Sequence, residues 1–129
     1  MLYAILCYND ENVVNSWSKE EDDAVLAKRA VVTKKLAAQR KLGPVARLMP
    51  TTAATTIRSG REQFVVDGPF AETKEQFLGF YVVDCASLEE AIAVASEMKG
   101  GEAGAFEIRP LRFFDPGTSP ETNGKGSIF

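Results

Sequence analysis

Two stretches far apart in the chain, Ser18-Lys19-Glu20-Glu21 and Ser87-Leu88-Glu89-Glu90, carry the same helix-starting pattern, and each lies downstream of a short apolar run. In both, the Ser oxygen can accept from an orphan backbone N–H of the first turn, and Glu three residues on can satisfy another donor. The apolar runs, LYAILCY at 2–8 and FYVV at 80–83, have the length and content of strands. Strand then helix, repeated, leaves few ways to bury both helices.

From Ser18 the first long helix places Val25, Val32 and Leu36 on one stripe, with Leu26, Ala30 and Ala37 beside it and Lys28, Lys34, Lys35 and Lys41 mostly off it; Gly43-Pro44 reads as its stop. In the second, Leu88, Ala91, Ile92, Ala95 and Met98 share a face that ends at Gly100-Gly101. Between the helices, the Thr, Val, Ile and Arg text from Val45 to Asp67, with Ser59-Gly60 in its middle, predicts a hairpin closed by a tight turn. A last strand, FEIRPLRFF at 106–114, carries Pro110, which confines it to a sheet edge or a bulge; Leu111 and Phe113 continue its alternation in shifted phase.

This order predicts an α+β domain, two helices on one face of a mainly antiparallel sheet, the plan of ferredoxin-like folds. The chain of 129 residues suits one domain, 1–114, followed by a flexible tail, 115–129, whose Ile128-Phe129 could dock or fray. The apolar strands leave the second sheet face in need of cover, and a second copy supplies it: a homodimer is expected.

A net charge of −3 without a run of Lys or Arg argues against direct binding of nucleic acid. The apolar start is too short for a membrane span, and Cys7 and Cys85, each inside a strand-like run, read as small buried hydrophobes. A cytoplasmic address follows. With no histidine and two distant cysteines, zinc, haem and iron–sulfur sites cannot be built, and no cofactor is expected; an oxygen-only Mg or Ca site stays open.

The densest packet of turn formers and charges is Asp67-Gly68-Pro69-Phe70-Ala71-Glu72-Thr73-Lys74-Glu75-Gln76. Asp67 can bond the backbone two residues on, Gly68 supplies unusual φ, Pro69 fixes φ, and Phe70 is expected to plug back toward the core, with a helical turn after it. Either this is a turn with solvated charges, or Asp67, Glu72 and Lys74 present acid, acceptor and cation to a ligand. A cleft built on the second reading takes Tyr3, Tyr8 and Phe70 as aromatic walls, Arg58 or Arg109 as a carboxylate clamp, and Asp67 as the group that accepts a hydroxyl proton.

The packet followed by Gly79-Phe80-Tyr81 resembles the signature of the DGPF family within the YCII-related superfamily. The likeness extends to 1–8, to Leu48-Met49-Pro50 with Ala54-Thr55-Thr56-Ile57-Arg58, to Ser87-Leu88-Glu89-Glu90-Ala91 and to Phe106-Glu107-Ile108-Arg109-Pro110. It implies a ferredoxin-like fold of the dimeric α+β barrel type, with a cleft between sheet and helices near the signature loop, and an unsettled activity. Members resemble partners of extracytoplasmic-function sigma factors, and the wider superfamily includes enzymes on small oxygenated ring compounds that use a His–Asp pair with the His on the first helix. Here that helix holds Arg29, Lys34, Lys35 and Arg40 and no His, so a His-based proton shuttle is excluded. Three readings remain: binding of a small anionic or oxygenated ligand; isomerisation or elimination on a ring compound with Asp67 as base and Lys74 or an arginine stabilising negative charge; and an accessory sigma-factor partner that docks through its tail.

Overall fold

The structure, a computed structural model, describes residues 1–118. Along the chain run β1 (Leu2–Asn9), α1 (Glu11–Asn15), α2 (Lys19–Ala38), β2 (Leu42–Arg47), a single 3-10 turn (Thr51–Ala53), β3 (Thr55–Arg58), β4 (Phe64–Asp67), β5 (Gln76–Asp84), α3 (Leu88–Lys99) and β6 (Ala105–Pro110). The main sheet has the order β2-β5-β1-β6 with antiparallel neighbours throughout, while β3 and β4 form a separate two-stranded ribbon. Without the ribbon, β1-α2-β2 and β5-α3-β6 are two interleaved split β-α-β units, the ferredoxin-like plan. The ribbon is an insertion between β2 and β5.

Registers fix the faces. Tyr3, Ile5 and Cys7 stand opposite Val83, Tyr81 and Gly79, and all but the glycine pack with Val32 and Leu36 of α2 and Ala91, Ala95 and Met98 of α3. Both long helices therefore cover one face, and each fully buried Ile, Val or Met there contributes roughly 1.5–3 kcal/mol. Cys7 and Cys85 are free and buried in this core, as read from the sequence. On the opposite face Ala4 and Val82 are buried and Leu6 and Phe80 half-buried. Proline 110 lies on an edge strand, where its missing N–H costs no ladder bond.

Several local expectations are corrected. Helix α2 stops at Ala38, before Gly43-Pro44, which lie inside β2. Its end is a Schellman motif in which Lys41 N–H donates to Leu36 O at 2.8 Å and Arg40 N–H to Ala37 O at 3.0 Å, with Arg40 at φ 57° where glycine is usual. A non-glycine cap gave no stop signal. The capping box at Ser18 forms in full; at Ser87 the Ser half forms, and Glu90 accepts from Ala86 N–H instead. The loop before α2 hides the one-turn α1, capped by Asp10. Leu88 and Ile92 flank the buried face of α3 and are exposed, the ribbon's turn spans 59–63, and Phe113 lies exposed beyond the end of β6. Phe70 points to solvent and 71–75 form no helix, because the packet's contacts run to β3 and α1 instead of the core. The docking expected of Ile128-Phe129 lies outside the described residues.

Candidate functional site

Helix α2 presents to the sheet a stripe of Asp22, Val25, Arg29, Val32 and Leu36, at the spacing of one helical face. Its C-terminal half is apolar and closes the core. Its N-terminal half puts a carboxylate and a guanidinium where packing side chains would sit, and there a cleft of about 140 Å³ opens between α2 and the sheet. Cys7, Trp17, Arg29, Arg47, Tyr81 and Phe106 line it.

Arg29 is held on several sides. Its Nε donates to Glu102 Oε2 at 3.1 Å and its Nη2 to Glu102 Oε1 at 2.6 Å, a paired geometry, while its Cζ lies over the Phe106 ring, 5.1 Å from the ring centre. Lys28 adds a second cation to the same carboxylate at 3.0 Å. The remaining Arg29 nitrogen, Nη1, reaches only a long bond of 3.5 Å to the Tyr81 hydroxyl. Burial works against the Arg29 charge, but the hydrogen bonds to Glu102 and Tyr81 hold its pKa above the ordinary value. For Glu102, burial favours the neutral acid, yet the bonds from Arg29 and Lys28 leave the carboxyl below its usual range. Both partners are ionised at neutral pH.

At the mouth, Arg47 at the end of β2 donates to both oxygens of Asp22, at 3.1 and 2.7 Å, which lowers the Asp22 pKa. Gly79 permits this placement: a Cβ there would sit 2.5 Å from Ala46 O, so a side chain would push β2 and Arg47 away. Asp22 and Arg47, with Val14, Leu26 and Leu78, also border an outer chamber of about 420 Å³. Deeper in, burial pushes the Cys7 thiol up to about 11, which keeps it protonated and unreactive.

The residues singled out from the sequence do not converge. Of the eight, Tyr8 alone borders the cleft; its hydroxyl donates to Glu107 Oε1 at 3.2 Å and its ring stands 5.6 Å from that of Phe77. Tyr3 is core, and Arg109 is exposed on β6 opposite Ala4. Arg58, Asp67, Phe70 and Glu72 do share one region: Arg58 Nη1 donates to Phe70 O at 2.8 Å, Asp67 ends β4 opposite Thr55, and Glu72 borders a shallow recess with Glu11 and Thr51. Asp67 and Lys74 are exposed, and neither side chain forms a hydrogen bond or ion pair among the described residues. The packet is instead wired by its backbone, with Gly68 N–H on Ala54 O at 2.7 Å and Thr56 Oγ1 on Gly68 O at 2.7 Å. Sequence reasoning missed Asp22, Arg47, Tyr81 and Glu102, and took Arg29 only as a cation of the helix. One signal was available: Asp22 and Arg29 interrupt the stripe of Val25, Val32 and Leu36 at helical spacing.

Among the described residues no group of three His, Cys, Asp or Glu is placed to hold a metal, and no helix is long and apolar enough to cross a membrane. Fold and cleft define the class, a small ferredoxin-like α+β protein with an arginine-lined cavity between its first long helix and its sheet. Within that class the chain belongs to the YCII-related domain family, which matches residues 1–115. An uncharacterized protein of Rhizobium meliloti (strain 1021) is 55% identical over 123 residues, covering 93% of this chain and 99% of that protein.

Proposed function

We propose that the protein binds a small ring compound bearing an acidic or oxygenated group, in the cleft between α2 and the sheet. The observation that carries this reading is Arg29, which lines the cleft: two of its nitrogens are committed to Glu102, and the third holds only a long bond of 3.5 Å to the Tyr81 hydroxyl. A donor fixed in advance costs little to order when a ligand arrives. Size agrees, since a cavity of about 150 Å³ takes one benzene-sized ring and this one measures about 140 Å³. Phe106 and Trp17 offer apolar walls, and Arg47 at the mouth can exchange Asp22 for a ligand carboxylate. Binding, not turnover, is the reading: the carboxylate in the cleft lining, Asp22, is paired with Arg47 and made a weaker base by it.

The test is the shift in melting temperature with benzoate, 4-hydroxybenzoate, phenol and γ-butyrolactone, for the protein and for Tyr81→Phe, Arg47→Met and Asp67→Asn. A ligand at a hundred times its Kd adds about 2.7 kcal/mol. The expected result is a shift with the aromatic acids that Tyr81→Phe and Arg47→Met reduce and Asp67→Asn retains. Loss in Asp67→Asn alone would move the site to the signature loop, and no shift with any compound would end the proposal.

A further inference from the structure

Strand β1 turns every second side chain toward the helices, and Tyr3, Ile5 and Cys7 are the first three of that row. The fourth is Asn9. It is 9% exposed, among buried residues that are otherwise apolar or tyrosine. An amide at the end of an apolar row must find partners for an oxygen acceptor and two N–H donors, or lose their hydration without return.

Only the oxygen is accounted for. Asp10 N–H donates to Asn9 Oδ1 at 2.8 Å, which fixes the orientation of the amide, since a backbone donor can face only the oxygen. Nδ2 donates no hydrogen bond among the described residues. No side-chain polar atom shut off from solvent there lacks a partner, so Nδ2 opens onto free space, and the cavity that Asn9 borders is the cleft beneath α2. Gly104, at φ 88°, presses on this side chain: a Cβ there would collide with Tyr8 O and lie 3.1 Å from Asn9 Cβ and Cγ. The same turn carries Glu102, so one short segment braces both Asn9 and Arg29. Cys7, the neighbour of Asn9 in its row, feels the charges of Arg29 and Glu102, which places the amide and the guanidinium in one region.

The turn at Asp10 needs an oxygen and has no use for the nitrogen, because an aspartate would accept the same N–H. The other polar side chains of the cleft share this bias. The Tyr81 oxygen accepts from Arg29 Nη1, and its own hydrogen has no acceptor among the described residues. Asp22, the carboxylate of the lining, is taken up by Arg47. The groups left to a ligand are therefore donors. We propose that Asn9 is a specificity-determining residue of the cleft, whose Nδ2 joins Arg29 and the Tyr81 hydroxyl in selecting a carboxylate, which only accepts, over groups of the same shape that carry hydrogens of their own. This deepens the binding reading above and rests on it.

Benzoate and benzamidine, alike in shape and opposite in charge and hydrogen-bonding sense, are the probes, titrated by calorimetry into the full chain and into Asn9→Asp and Asn9→Ser. Asn9→Asp keeps the acceptor for Asp10 N–H and replaces the donor with a second acceptor; Asn9→Ser removes the donor without adding charge. The unaltered protein should prefer benzoate, and both variants should bind it at least roughly tenfold more weakly, the loss of one hydrogen bond to a charged group, while benzamidine binding does not fall. Nitrogen-15 spectra read the same atom without a substitution: the Asn9 side-chain amide pair, assigned by its disappearance in either variant, should shift saturably with benzoate. Variants that bind benzoate as tightly as the unaltered protein, a preference for benzamidine, or an Asn9 amide unmoved at saturation would each overturn this inference and leave the cleft reading standing if Tyr81→Phe still weakens benzoate. An unaltered protein that binds no benzoate would end both.

Discussion

Glutamine in place of Glu102 keeps the side-chain volume and removes the one carboxylate that faces both Arg29 and Lys28. The Glu102 side chain is 7% exposed, and its oxygens lie 2.6 Å from Arg29 Nη2 and 3.0 Å from Lys28 Nζ. Breaking a buried pair by removing one partner costs about 3–5 kcal/mol, because the other charge stays behind uncompensated. Here the stranded Arg29 keeps the Phe106 face and a 19% exposure to water, and Lys28 keeps its bond to Lys99 O, so the lower end applies. About 3 kcal/mol is expected from a total of roughly 5–15. Urea denaturation at neutral pH should show a lower midpoint with an unchanged slope, and the melting temperature should fall by roughly 10 °C.

The pH dependence is a second readout with a definite sign. The folded Glu102 carboxyl titrates below its ordinary value of 4.5. Its contribution is therefore complete above the unfolded pKa and disappears as pH falls through the lower folded pKa. The gap between the protein and Glu102→Gln should be constant from neutrality to about pH 5 and close in stronger acid. A gap under about 1 kcal/mol at neutral pH, or one that persists in acid, would refute the account of a buried, ionised clamp.

Arg40→Gly should stabilise the protein by about 0.5–1 kcal/mol, because glycine avoids the steric cost of a left-handed residue at the end of α2 but gives back part of the gain as unfolded-state entropy; a lower urea midpoint would refute the cap. Cys7, its pKa pushed up to about 11 by burial, and Cys85, raised for the same reason, should resist an aromatic disulfide reagent at pH 8 in the native state and both react in urea. Rapid native labelling would contradict their burial.

The layer plan was readable because it rests on local grammar: Ser at two N-caps, apolar runs of strand length, Gly100-Gly101 after α3, and a proline that only an edge strand accepts. What was not readable depended on partners far along the chain. Arg29 meets Glu102 across 73 residues, and Asp22 meets Arg47 across 25. In sequence each looks like one more charged helix or loop residue. Phe70 failed as a core plug for a related reason: its turn was legible, but the turn belongs to an inserted ribbon that leaves the main core.

The most conspicuous text in the sequence and the most chemically constrained site in the structure are therefore different places. The packet after β4 is rich in charge, but its described bonds run mostly through its own backbone atoms, to Ala54 O and to the side chains of Thr56 and Arg58, and none uses a carboxylate or ammonium of the packet. Stability does not account for the Arg29–Glu102 pair in the same way, since well-packed apolar side chains of similar volume are commonly as stabilising as a buried ion pair. An aliphatic pair would also fill the 140 Å³ beside it more simply. What an aliphatic pair would not supply is a guanidinium locked on two nitrogens, with its third held only by a long bond, in the lining of a cavity. Recognition of an oxygen atom is the task that geometry suits, which is the argument for the proposed binding site beneath α2.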